Sequence, residues 1–546
     1  MTDLLAFFSG LLDGVALIAL AVAVGGLAFA LIVLRILSES NPHQETLFTS
    51  TLRACFWGAA GFGICRLVQL ILTPWALADA TGVWAMDLFL KTRVFQATAT
   101  SVALIIGLAL VIALVRRYPK NLTHWSWILI LTSAFMINEA WLTHGASRID
   151  SGGSLMFVTV LHLLGASVWA GGVFHLLLSW RAIKTDSRDA SLWPTFVTRF
   201  SIIGMTGVGL ILVPGLYLGW RYVGQWSGLI GTGYGNMLLA KVALFLFIVV
   251  LAAFNFIAGR SWKLRGNRKA LYSSVPAYIE IEIVLAGSVL FTAAALTSFP
   301  PAVDVTKNTV TPTEMWMMFS PKLPHLSGPE LVTIDAPELT DLRSGKVGQK
   351  EDWSWDRFNH NISGLVVVIL AILAFLDCMR WARWARHWPI LFVGFSILIM
   401  VFANPDHWPL GHISFIDSAT NTEVVQHWLA GCVVFGLGWF EWFARQGRLK
   451  RPVLRFLFPS LCIVGGLILL THSHNQDDLK IDFLTQSTHV AMGLIGIFVG
   501  CARWLELRLA SPYDRIAGLF AVSAIMLVGF ILLFYINPEL AGLQNT

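Results

Sequence analysis

Of the 546 residues, 56% are hydrophobic and only 13% charged, and the mean hydropathy is +0.69. Composition of this kind excludes the soluble globular classes and places the chain in a bilayer. The net charge of +6 falls in alternate loops, where it reflects topology and a basic rim facing membrane lipid, so no nucleic-acid partner is needed to explain it.

Backbone N–H and C=O groups find no partner in hydrocarbon, so apolar runs of about 20 residues must close their hydrogen bonds as helices. A barrel would show short alternating segments instead. The expected fold is therefore all-α, a polytopic transmembrane bundle of about fourteen spans. In chain order the runs fall near 12–36, 51–74, 93–116, 125–144, 154–181, 196–219, 235–259, 276–298, 359–382, 386–403, 423–444, 453–472, 483–507 and 516–537. The first is long for a signal segment and lacks both a basic start and an A-x-A cleavage site, so a permanent helix is expected. Basic residues such as Arg116 and Arg117, Arg181 and Lys184, Arg260 and Lys263, Arg380 and Arg383, Arg445 and Arg448, and Arg503 and Arg508 occupy every second loop. The positive-inside rule makes those loops cytoplasmic and both termini periplasmic.

Between the eighth and ninth runs lies a polar stretch, 299–358, with Pro300-Pro301, Pro321 and Pro324. It divides the chain into an eight-helix half (1–298), a loop or cap, and a six-helix half (359–546). The stretch carries Glu314-Met315-Trp316-Met317-Met318-Phe319. Three thioethers suit Cu(I), but an amphipathic interfacial segment anchored by Trp and Phe is the simpler reading. The six cysteines, Cys55, Cys65, Cys378, Cys432, Cys462 and Cys501, form no CxxC pair and read as small buried hydrophobes.

Histidines and acids collect in the loops expected outside. Leu142-Thr143-His144 closes the fourth run and His162 lies in the fifth; Leu470-Thr471-His472-Ser473-His474 closes the twelfth and His489 lies in the thirteenth. His162 would sit roughly 12 Å below the surface at 1.5 Å per residue, on the antiparallel neighbour of the helix that ends at His144. Glu139, about a turn below His144, is costly in lipid unless paired, and reads as a ligand or as the partner of a ligand's N–H. His427, at the start of the eleventh run, joins the second group. Imidazoles repeated at one rim of a bundle predict a metal site of His144, His162, Glu139, His427, His472, His474 and His489. Asp477, Asp478 and Asp482 lie nearby. The glycine pairs Gly25-Gly26 and Gly171-Gly172 predict close helix packing.

The stretch His162-Leu-Leu-Gly-Ala-Ser-Val-Trp169-Ala-Gly171-Gly172, preceded by Leu142-Thr143-His144-Gly145-Ala146, resembles the copper resistance protein D family of bacterial inner-membrane proteins. Arg199-Phe200-Ser201, Pro214-Gly215, Gly231-Thr232-Gly233-Tyr234-Gly235 and Leu239-Ala240-Lys241 continue it. The resemblance covers roughly 1–300, with the shared domain at about 155–298. It implies movement of copper ions across the cytoplasmic membrane, alongside a small periplasmic copper-binding protein, with His144 and His162 on the family's histidine positions. Trp169, Gly171 and Gly172 fall on its helix-packing motif. The six-helix half from 359 lies outside it.

The chain is thus expected to be a copper-handling permease rather than an enzyme: it has no Walker motif, aspartyl-phosphate loop or CxxC entry site, so it is not a copper ATPase. One rival is a bis-histidine cytochrome exchanging electrons with quinone, because His162 and His175 lie thirteen apart on one helix; its inner partners would be His124 and His387, both at helix ends. Another is an assembly factor that delivers copper without transporting it.

Overall fold

The computed structural model describes residues 2–34, 42–143, 145, 152–184, 192–266, 269–305, 309–328, 347–471, 479–538 and 541. A helix occupies each of the fourteen apolar runs. In the first half these are α1 (Thr2–Phe29), α2 (Pro42–Thr81), α3 (Arg93–Arg117), α4 (Leu122–Ala140), α5 (Gly152–Lys184), α6 (Trp193–Val223), α7 (Gly233–Arg265) and α8 (Val275–Leu296). The second half holds α9 (Val347–Cys378), α10 (Ile390–Phe402), α11 (Thr422–Arg445), α12 (Leu457–Leu470), α13 (Leu479–Arg508) and α14 (Tyr513–Leu533). No strand occurs among the described residues. The protein is an all-α, multi-pass membrane protein, with eleven helices among the described residues long and apolar enough to cross a bilayer. Helices α4, α10 and α11 fall outside that set: α10 has 13 residues, and α4 and α11 carry Asn138, Glu139, Gln426, His427 and Glu441 within their length.

Side-chain caps set several helix starts. Thr92 accepts from the Phe95 N–H at 3.1 Å, Asn121 from Thr123 at 2.9 Å and Asn421 from Glu423 at 3.0 Å, satisfying donors that the first turn leaves open. Thr232 does the same for α7, accepting from the Gly235 N–H at 3.1 Å while donating to the Gly228 carbonyl at 2.6 Å. Gly224, at φ +71°, ends α6 in the left-handed region where a side chain would be strained.

The chain divides into two compact units, residues 2–225 with 241–303 and residues 226–240 with 304–546. In the first, α1 is central, packed by α2, α5 and α8. Lipid tails are as apolar as leucine, so such helices associate by close backbone packing. A Cβ on Gly25 would stand 2.6 Å from the Gly171 Cα, and one on Gly172 would stand 2.5 Å from Phe200; glycine is the side chain these crossings require. Trp169 packs edge-on against Phe245 at 5.8 Å. Its Cβ would lie 2.9 Å from one added at Gly207. Helix α8 is largely buried, whereas α6 turns Val213, Leu216 and Trp220, each more than 70% exposed, outward.

In the second unit α9 packs on α14, α14 on α13, α13 on α12, and α10 and α12 on α11. Its core gathers Val367, Leu370, Trp388, Phe392, Phe458, Val499 and Ile525. Gly466 and Gly493 bring α12 and α13 together, a Cβ on Gly493 meeting the Gly466 carbonyl at 2.7 Å. The short helix Pro312–Phe319 opens with a capping box between Thr311 and Glu314. It buries Met318 against Phe483, Leu484 and Tyr535 and leaves Trp316 exposed, an amphipathic segment. Glu314 and Lys480 form an ion pair at 2.6 Å. Partial burial raises the Glu314 pKa, but hydrogen bonds from Lys480 and Thr311 and the Lys480 charge outweigh it, so the carboxyl titrates below its ordinary value. None of the six cysteines forms a disulfide.

Candidate functional site

In the first unit the chemistry begins with Pro214, inside α6. A proline donates no hydrogen bond to the preceding turn and its ring crowds it, which opens nearby carbonyls to other donors. The Ile211 carbonyl accepts from His162 Nδ1 at 3.0 Å. Gly215 keeps the space clear, since a Cβ there would stand 3.0 Å from His162 Cε1. A carbonyl oxygen only accepts, so the His162 proton sits on Nδ1 and the lone pair on Nε2, the form in which imidazole binds a metal ion.

Glu139, at the end of α4, is 5% exposed, and both its oxygens are engaged. Oε2 pairs with Arg66 Nη2 at 2.9 Å, and Oε1 accepts from the Ser101 hydroxyl. Arg66 also reaches Asp13 at 2.6 Å and Gln69 at 2.8 Å, and Asn138 donates to Ser101 at 2.7 Å. Two carboxyls share one guanidinium at the junction of α1, α2 and α4. The geometry gives Glu139 a partner in arginine, the pairing an intramembrane acid needs. From sequence alone Glu139 is a candidate ligand or the partner of a ligand's N–H; Arg66, which takes one of its oxygens, lies 73 residues away. Two further buried acids, Glu280 and Glu282 on α8, also went unnoticed; Asn255 donates to Glu282 at 2.5 Å. Their sequence signal is two acids one residue apart in an otherwise apolar run.

His175 is fully buried, stacks on Phe29 at 6.1 Å and donates from Nε2 to the Val22 carbonyl of α1 at 3.0 Å. Its proton therefore sits on the nitrogen opposite to that of His162. His124 lies beside Tyr118, and His387 accepts from the Trp442 indole at 3.0 Å. His144, and in the second unit His472, His474, Asp477 and Asp478, lie outside the described residues.

In the second unit, His427 from α11 and His489 from α13 line one cavity, and they are joined by His360 from α9, which sequence reasoning did not single out. The cavity has a volume of about 290 Å³. Its polar groups, Asn359, His360, Ser363, Gln426, His427 and His489, come from the helix halves away from the basic loops, and apolar side chains such as Phe395, Leu437 and Phe458 line the rest. His427 Nδ1 bonds to Asn404 Oδ1 at 2.7 Å and His489 Nδ1 to the Thr485 carbonyl at 3.0 Å. His360 Nδ1 faces both the carbonyl (2.8 Å) and the carboxylate (2.9 Å) of Asp356 one turn earlier. Asp356 in turn accepts from the Tyr535 hydroxyl at 3.0 Å and from Asn537 at 2.8 Å. Burial, then the neighbouring Asp356 carboxylate, holds the Tyr535 pKa well above its usual value, so the phenol remains a donor. In all three imidazoles the acceptor at Nδ1 leaves the lone pair on Nε2. The sequence signal was Asp356 and His360 at i,i+4. It was masked because α9 begins at Val347, well ahead of the apolar run that marked the span. Among the described residues no three His, Cys, Asp or Glu side chains converge as a metal-binding group.

Residues 194–296, which include Pro214 and Gly215, match the model of the family described as copper resistance protein D. The likeness to the copper resistance protein D family is carried by this segment of the first unit. It is similar to the copper transport protein CutJ of Bacillus subtilis (strain 168), 29% identical over 271 residues, covering 47% of each chain. It is also similar to copper resistance protein D of Pseudomonas syringae pv. tomato, 26% identical over 203 residues, 35% of this chain and 64% of that one. The chain thus spans about half the length of the first relative and under two thirds of the second. No solved structure matches it.

Proposed function

We propose that this protein handles copper ions at the bacterial inner membrane, taking them up through imidazoles on the periplasmic side and moving them across. The observation that carries this reading is the His162 environment. The Ile211 carbonyl, one turn before the Pro214-Gly215 step, accepts from Nδ1 and so fixes the His162 tautomer, and Gly215 leaves space for the ring. An imidazole held by one nitrogen and offering the other is prepared to ligate before the ion arrives, which lowers the cost of binding. His144 would complete this entry point, and His427, His472, His474 and His489 would form a second one in the other unit. A periplasmic copper-binding protein is the expected donor. Weak ligands in several places suit an ion that must leave again better than one closed cage does.

Copper flux into proteoliposomes tests the reading. The native chain should transport, and His162→Ala and His144→Ala should each lower flux at least tenfold while the protein stays monodisperse. Native protein that binds copper but moves none would instead support delivery to another membrane protein.

A further inference from the structure

The second unit contains a pair of imidazoles that the family match, confined to residues 194–296, does not reach. The rings of His360 and His489 lie 5.8 Å apart, centre to centre, and nearly perpendicular. We propose that His360 and His489 are the two nitrogen ligands of a Cu(I) site at the polar end of the cavity, with the Met492 thioether as the soft third ligand. The proposal rests on the reading that the chain handles copper, and it adds the oxidation state and the ligands.

Three independent features support it. The spacing is that of two imidazoles on one ion: with metal–nitrogen bonds of about 2.0 Å, two ring centres sharing a metal lie roughly 6 Å apart. His360 is also held as metal-binding histidines are. Asp356 fixes Nδ1, Tyr535 and Asn537 fix Asp356, and the Tyr535 ring stacks on the imidazole at 4.1 Å. Finally, Gln426, 1% exposed, lines the same cavity with neither amide oxygen nor amide nitrogen hydrogen-bonded. An unsatisfied buried amide is costly, so this end of the cavity is built to receive something polar.

The donor set selects the ion. Zn²⁺ in protein sites takes four ligands, whereas Cu(I) is satisfied by two or three, and thioether ligation favours it further. No third His, Cys, Asp or Glu joins the pair among the described residues, and Met492 lines the cavity one turn beyond His489. The apolar walls below the pair keep water from competing for a low-coordinate ion.

The test uses the full chain in nanodiscs under anaerobic conditions, titrated with Cu(I) against a chromogenic Cu(I) chelator. X-ray absorption then reports the ligands. We expect His360→Ala and His489→Ala each to lose one Cu(I) equivalent and to retain the rest, and Met492→Leu to remove sulfur scattering from the bound ion. Asp356→Asn should weaken that equivalent 10–100-fold. Retention of the remaining copper by the variants shows that they are folded. Unchanged stoichiometry and affinity in both histidine variants would overturn the site while leaving copper handling intact. Native protein that binds Cu(II) or Zn²⁺ here but no Cu(I) would overturn it too. A native chain that binds no copper in any state would overturn the proposed function along with it.

Discussion

Replacing Arg66 by methionine isolates the energetics of the buried charge network in the first unit. The substitution keeps the length and apolar contacts of the side chain but removes the guanidinium shared by Glu139 and Asp13. The two carboxyls respond differently. The Asp13 side chain is 33% exposed and can turn toward water, while that of Glu139 is 5% exposed and cannot. The penalty therefore falls on Glu139, and stranding one buried partner costs about 3–5 kcal/mol. The Ser101 hydroxyl bond cannot compensate, since hydrogen bonds between transmembrane helices average about 0.6 kcal/mol. At about 1.4 kcal/mol per factor of ten, the lower bound corresponds to a local opening equilibrium raised more than a hundredfold. Hydrogen exchange of the chain in nanodiscs reads this directly, because a 546-residue chain of two units has no single unfolding equilibrium to measure. The amides of α2 and α4 near Arg66 and Glu139 should exchange at least a hundredfold faster in Arg66→Met. The double variant Arg66→Leu/Glu139→Leu should recover most of that protection, because it leaves no charge stranded. Exchange within threefold of native in the single variant would refute the assignment, as would a double variant no better protected than the single one.

The same network predicts that Glu139→Gln changes copper affinity less than twofold in the chelator titration, since both oxygens are engaged by protein groups; a tenfold loss would make Glu139 a ligand. Gly171→Val should prevent α1 and α5 from meeting, because its Cβ would collide with the Ala21 carbonyl, at a cost of more than about 1–3 kcal/mol. Its yield of monodisperse protein should fall sharply, while Gly209→Ala, which meets nothing within 4 Å, should purify like native. Gly215→Ala should crowd His162 and lower copper flux without lowering yield. The Glu314–Lys480 pair sets a pH dependence: with the Glu314 pKa lowered on folding, its contribution is complete above the ordinary carboxylate value and is lost as pH falls through the lowered one. Hydrogen-exchange protection of residues 312–319 should therefore drop in acid in native protein, and Glu314→Gln should abolish that pH dependence.

The apolar runs were legible without tertiary information, because lipid forces every backbone group in a run to bond within its own helix. The glycine pairs were equally plain. The sequence could not show which side chains from distant helices share a partner. Glu139 reads as a candidate ligand until Arg66, from another helix, takes one of its oxygens. His360 reads as an unremarked residue at the start of a span until α9 is found to begin early enough to place Asp356 one turn before it. The Pro214-Gly215 pair is only one motif of a resemblance until His162 is found against it. Helix identity follows from local hydrogen-bond satisfaction, whereas a site follows from the register in which separate helices pack, and that register depends on where a Gly171 or a Gly466 lets two backbones touch.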